Sequence, residues 1–222
     1  MHPLTQKIKD RFWQHRNEAM APGMRAYMKN LFPFLGIKSP QRREIIRQLS
    51  REEKIASFCE LKTIAEELWS LDEREYQYAA MDLVLMNKKL WTAELPALAE
   101  SLIIRKSWWD TVDCLASSIF GAYVLKFKFL PEPLPDRWLT SSNMWLNRSA
   151  IIFQLSHKEK TDISFLEKAI ARHVGSDEFF IRKAIGWALR QYARSNPSFV
   201  KEMAAGYPLK PLSRREAMKH LE

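Results

Sequence analysis

Glycine and cysteine are both scarce in this chain, at 6 and 2 of its 222 residues. So few glycines leave little of the turn punctuation that sandwiches and barrels need, and no Val/Ile/Thr/Tyr alternation marks a strand. Cys59 and Cys114 cannot build a disulfide framework or a Cys-based metal site, and each lies in an apolar stretch that reads as core. The five histidines, His2, His15, His157, His173 and His220, lack H-E-x-x-H spacing. They read as isolated exposed residues, and neither metal nor cofactor is expected. There is no run of about 18 apolar residues to span a bilayer and no basic-then-apolar leader, so the expectation is a cytoplasmic protein.

What is abundant points one way. Hydrophobic residues make up 46% of the chain, enough for a sizeable core, and 35 basic against 26 acidic residues leave a formal charge of +9. That balance favours a polyanionic partner, nucleic acid first. Leu, Ala, Glu, Lys, Arg and Met recur at helical spacing, so the fold class is all-α. Pro22, Pro33, Pro40, Pro96, the Pro131/Pro133/Pro135 cluster, Pro197, Pro208 and Pro211 cut the chain into segments of helical length. Between Gly36 and Pro40 the order of loop glycine, Ser39 as N-cap and proline at the first helical position predicts a helix start.

Self-similarity refines the fold class. Arginine followed by small and apolar residues opens segments at Arg42, Arg74, Arg148, Arg182 and Arg214, with successive spacings of 32, 74, 34 and 32 residues. The double spacing is filled by the segment from Trp109 to Ala116. Units of this length made of paired helices describe an α-solenoid of HEAT-like repeats, a single domain over residues 1–222 whose inner helices line a curved, concave surface fit for duplex DNA. A non-repeating helical bundle is the alternative.

Three segments hold candidate chemistry. Ser107 to Asp113 packs two tryptophans and two carboxylates into SWWDTVD, and on a helix Trp109 and Asp113 share a face. From Phe179 to Arg194, Lys183, Trp187, Arg190 and Arg194 form one basic stripe with an indole in it, while Phe180, Ile181, Ala184 and Leu189 form the burying side. From Asn143 to Leu155, Trp145 and Arg148 stand on an otherwise apolar helix, where Arg148 reads as a phosphate clamp. Trp13, Trp69, Trp91, Trp108 and Trp138 read as packing residues.

SWWDTVD, together with MRAYMKN at Met24 to Asn30, FLGI at Phe34 to Ile37, RSAIIFQL at Arg148 to Leu155 and FFIRKAIGW at Phe179 to Trp187, closely resembles the AlkD-type alkylpurine DNA glycosylases. The likeness extends over essentially the whole chain. It implies a HEAT-like solenoid that cradles duplex DNA and excises positively charged N3- and N7-alkylated purines without cutting the strand. It also implies that Asp113 is the catalytic carboxylate, Trp109 and Trp187 two aromatic walls, Arg148 the backbone clamp, and Tyr27 a residue facing the DNA. Lys183, Arg190 and Arg194 are the further DNA-binding candidates, from the basic stripe.

The chemistry suits these residue types. Alkylation leaves the purine cationic, so it departs neutral without a general acid, and positive charge moves onto the sugar as the bond breaks. A carboxylate and indole faces stabilise such a cation, and the carboxylate can orient the attacking water. Neutral uracil or oxidised guanine should then be poor substrates. Two conditions contradict this reading: Asp113 consumed by a buried salt bridge, or Trp109 and Trp187 facing opposite ways. The competing readings are a non-catalytic helical-repeat module that binds DNA or RNA, and a repeat scaffold for proteins. A monomer is expected.

Overall fold

The computed structural model describes residues 1–128 and 133–221, and everything below concerns those residues. Their regular structure is all helical, with no strand among them. Chain contacts divide them into two compact units, residues 1–94 and residues from 95 onward. No helix among the described residues is long and apolar enough to cross a membrane.

The first unit comprises α1 (Pro3–Gln14), α2 (Ala21–Tyr27), α3 (Ser39–Glu52), α4 (Phe58–Ser70) and α5 (Arg74–Met86). Helix α1 packs on α3 and α4, and α5 on α3 and α4. Prolines open α1, α2 and α3, where a missing N–H costs nothing. The α3 start falls as expected, one residue early: Lys38 is the cap, and Ser39 Oγ instead accepts from Arg42 Nη1 at 3.3 Å. The loop before α3 is pinned from below, because the buried carboxylate of Glu75 accepts backbone N–H groups of Leu35, Gly36 and Ile37 at 2.8–3.1 Å. Gly36 is required there: its φ is +86°, and a Cβ would lie 2.1 Å from the carbonyl oxygen of Asn17.

The second unit runs α6 (Leu95–Ile103), α7 (Trp109–Asp113), a π-helical stretch (Cys114–Phe120), α8 (Gly121–Phe127), α9 (Leu134–Thr140), α10 (Met144–Ile152), α11 (Ile163–His173), α12 (Phe179–Tyr192), α13 (Pro197–Gly206) and α14 (Pro211–Met218). Asn143, Asp162 and Asn196 cap α10, α11 and α13 through their side chains, each accepting an N–H at 2.9–3.0 Å. Of the proline cluster, Pro135 opens α9, and Pro131 lies outside the described residues.

The arginines that mark the spacing behave unequally. Arg42, Arg74 and Arg148 are buried, at 5%, 0% and 4% exposure. Burial of a guanidinium demands partners. Arg42 takes Asp82 at 3.0 Å, and Arg74 stacks over the ring of Phe32 at 3.8 Å. Arg214, by contrast, is exposed and donates to the carbonyl of Ala204.

Several expectations need correction. Cys59 is exposed and Cys114 half-buried, because the cysteines fall on helix flanks while their neighbours fill the core. His157 is buried: Phe153 and Gly121 enclose it, and its Nε2 lies 3.0 Å from the Gly121 carbonyl oxygen, so burial holds its pKa below the usual histidine value. Trp69, Trp91 and Trp138 are core residues as expected, whereas Trp13 is largely exposed, with Arg16 over its ring at 4.3 Å.

The tight seam beside His157 yields a prediction. A Cβ on Gly121 would meet the Phe153 carbonyl oxygen at 2.0 Å, a backbone atom that cannot swing away. Gly121→Ala should therefore lower stability by roughly 2 kcal/mol despite its better helix propensity. Urea denaturation followed by far-UV circular dichroism checks this; an unchanged or higher midpoint would show that α8 moves freely against the end of α10.

Candidate active site

Local backbone in the second unit sets the first two residues. Trp108, extended at φ −160° and ψ 160°, caps α7, so that Trp109 begins the helix and Asp113 ends it one turn later on the same face. The chain then widens into the π-helical stretch, a feature frequent at functional sites, and Ser117 Oγ donates to the Asp113 carbonyl at 2.6 Å.

Arg148 comes from α10. Its Nε donates to Asp113 Oδ1 at 2.7 Å, its Nη2 to Oδ2 at 2.8 Å, and its Nη1 to the Phe180 carbonyl at 2.6 Å. This fork-on-fork pair ties α7, α10 and the first turn of α12 together. An aromatic cluster packs nearby: Trp108, Trp145 and Phe180 meet at centroid distances of 5.0–5.7 Å. Trp108 thus packs as expected. Phe180 was expected on the burying side of α12, and it lines the cavity instead, because it stands three and seven residues before Lys183 and Trp187 on one helix face.

Helix α12 supplies the rest. Lys183, Trp187 and Arg190 follow the expected stripe along one face, and all three line a cavity of about 300 Å³ together with Trp109, Asp113, Arg148, Phe179, Phe180 and Glu216. Arg194 does not join them. It lies beyond the C-cap Ala193 and is exposed at a different cavity. Tyr27 belongs to the first unit, 68% exposed, at a cavity with Met24, Phe34 and Tyr78.

The two conditions set by the sequence come out differently. Trp109 and Trp187 line one cavity, so the indoles do not face opposite ways. The other condition is met: Asp113, with a side chain 17% exposed, is held in a largely buried bidentate ion pair. Arg148, 4% exposed with its guanidinium turned inward, correspondingly grips Asp113 where a phosphate clamp was expected. Burial raises the Asp113 pKa above the ordinary value, and the Arg148 guanidinium pulls it back. Each carboxylate oxygen accepts one bond from Arg148, which leaves lone pairs toward the cavity.

Glu216 is the residue that sequence reasoning missed. Its Oε1 accepts from Lys183 Nζ at 2.9 Å and its Oε2 from Arg190 Nη1, so it neutralises part of the stripe. Nothing in the local sequence of α14 marks it. The close approach that makes it possible comes from Gly186, where a Cβ would lie 2.8 Å from the carbonyl oxygen of Ser213 and 2.5 Å from Glu216 Cβ. The Lys183 hydrogen bond, aided by Arg190 and opposed by partial burial, holds the Glu216 pKa below its ordinary 4.5.

Comparison with known proteins is consistent from two directions. The family model described as DNA alkylation repair enzyme matches residues 8–221. A solved structure described as a predicted DNA alkylation repair enzyme from Enterococcus faecalis is 39% identical, with a TM-score of 0.87, over 93% of this chain and 96% of that one. No curated protein matches.

A depressed carboxylate pKa stabilises the folded state above the unfolded pKa, and that contribution fades as pH falls through the folded value. Glu216→Gln should thus cost roughly 1 kcal/mol at pH 7, discounted for the partial exposure of Lys183, and the difference should shrink as pH falls below the ordinary carboxylate range. Urea titrations at pH 7 and pH 3 measure it; a pH-independent difference would remove the ion pairs as its cause.

Proposed function

Because the chain belongs to the family of DNA alkylation repair enzymes, we propose that it is a monofunctional DNA glycosylase that hydrolyses the N-glycosidic bond of N3- and N7-alkylated purines in duplex DNA. The observation that carries the reading is that Trp109 and Asp113 of α7 and Trp187 of α12 line one cavity. As the alkylated base leaves, the deoxyribose acquires positive charge. Two indole faces and a carboxylate edge are then worth more than in the ground state, which is the condition for a lower barrier.

Asp113 acts from within its ion pair. Arg148 fixes both carboxylate oxygens, so the free lone pairs point at the sugar and at the water that attacks it with no reorganisation when charge develops. The pair weakens the net negative field but sharpens its direction. Lys183 and Arg190, held by Glu216, meet the flanking phosphates, and Tyr27 of the first unit faces the duplex. A cavity of about 300 Å³ is at the small end of ligand sites, as befits a sugar with its phosphate more than an extruded purine with its adduct. In this reading residues 1–222 work as one HEAT-like repeat domain, a cytoplasmic monomer that leaves the strand uncut.

The same ion pair favours the competing reading, a non-catalytic DNA-binding helical module in which Asp113 and Arg148 merely fasten α7 to α10. The readings part on turnover. Purified protein incubated with methylated genomic DNA should release free 3-methyladenine and 7-methylguanine, identified by mass spectrometry. Asp113→Asn should abolish release and spare most DNA affinity. Trp109→Leu leaves the ion pair intact, guards against misfolding of the first variant, and should slow release by about 2- to 30-fold, the range of one cation–π contact. Catalysis needs the carboxylate, so release by the wild type should fall as pH drops through a pKa raised above 3.8. Replacing Arg148 by Met should move that limb higher still. Absence of freed bases from the wild type would leave the non-catalytic module.

A further inference from the structure

A larger cavity, of about 440 Å³, lies in the second unit where the chain following α10 meets the C-terminal end of α12. Ile151, Leu166 and Ala188 give it an apolar floor, and its rim is polar. Two cations stand there, Lys158 and Arg194, both exposed. On α12, Lys183 and Arg190 are both engaged by Glu216, whereas neither Lys158 nor Arg194 has an ion-pair partner among the described residues. Nor does either side chain donate to the terminal carbonyls of α10 or α12, so they are not spent as helix caps.

The loop that presents Lys158 is built rigidly. Lys158 itself adopts φ +53°, a conformation L side chains rarely occupy. It is flanked by the buried ring of His157, anchored at the Gly121 carbonyl, and by Gln154, which both donates to the Asp162 carbonyl and accepts from the Asp162 N–H. The one carboxylate on the rim, Glu159, accepts a long 3.4 Å bond from Ser195, which an arriving anion can replace.

The construction recurs in the first unit. RREIIRQLS from Arg42 and RSAIIFQLS from Arg148 match in register, so Ser50 corresponds to Ser156, and each lines a cavity at its helix end. The first-unit cavity bears Arg51, Lys54 and Lys89, again without ion-pair partners among the described residues. A polar cavity bearing uncommitted cations thus lies at the end of both matching segments, although the cations themselves stand at different registers.

We propose that the cavity between the loop after α10 and the end of α12 is a subsite for a phosphodiester of the DNA strand, held by Lys158 and Arg194 with Gln191 and Ser195 donating to its oxygens. Seven residues of rise separate Trp187 from Arg194, about 10 Å, so the group bound would lie about three base steps of rise from the leaving base. The proposal rests on the reading of the protein as a DNA-acting enzyme, though not on its catalysis.

Its test is therefore made on undamaged DNA. Affinity of the full chain for an undamaged duplex is measured by fluorescence anisotropy across a salt series, for the wild type, the double variant Lys158→Ala/Arg194→Ala, and a control of equal charge loss, Arg172→Ala/Lys201→Ala, on α11 and α13. All four side chains are exposed, and thermal melts verify the fold. The site variant should lower the slope of log affinity against log salt by about 0.9, as the loss of one neutralised phosphate requires, and the control by well under half of that. Equal slopes in the site variant and the wild type, or an equal drop in the control, would overturn the proposal. A loss of DNA affinity, confined to the wild type, when chloride is exchanged for inorganic phosphate at matched ionic strength would show the free anion competing with the strand for this cavity and would support the proposal. These slopes stand whether or not alkylated bases are released, so failure of the subsite and failure of the glycosylase reading are told apart.

Discussion

The bidentate pair between Arg148 and Asp113 is the interaction on which the site depends. It joins the end of α7 to α10, and through the Phe180 carbonyl it sets where α12 begins. A guanidinium at 4% exposure is stable only with such partners, and a carboxylate this deep only with such a cation. Losing either side alone would strand a buried charge, a cost of several kcal/mol. The pair thus couples folding of the second unit to the orientation of the Asp113 carboxylate at the cavity.

A second constraint is the contact of α12 with α14. Gly186 removes the side chain that would keep the helices apart, and Glu216 then reaches two cations of the stripe at once. The stripe is consequently divided by charge. Its middle is partly neutralised around the indole of Trp187, while Arg194, past the helix end, keeps its full charge. Under the proposed reading, a surface graded in this way would hold DNA by its ends and leave the centre to a cationic transition state.

Much of this was legible in the sequence. Helical spacing gave the fold class, proline positions marked the starts of α2, α3, α6, α9, α13 and α14, and the face shared by Trp109 and Asp113 follows from four-residue spacing alone. The stripe of Lys183, Trp187 and Arg190 was legible for the same reason. Most of what escaped belongs to contacts between elements distant in the chain. Arg148 looked like a surface clamp because periodicity tells which residues share a face, not which of them finds a carboxylate 35 positions away. Phe180 was assigned to the wrong side of α12, although its i, i+3 and i+7 spacing with Lys183 and Trp187 already places it on the stripe face. Glu216 carried no local signal, since its role is created by the glycine opposite. Cys59 and His157 erred in opposite directions, as residues whose burial is settled by packing and not by their own polarity.

The central claim is that this site recognises a sugar turning cationic. The most direct measurement compares affinities for two duplexes, one carrying a cationic azasugar at an abasic position and the other its neutral tetrahydrofuran counterpart. The account predicts at least about tenfold tighter binding of the cationic duplex, as for a partial mimic of the transition state, with the preference lost in Asp113→Asn. Equal affinities for the two duplexes, or a preference that survives loss of the carboxylate, would contradict it.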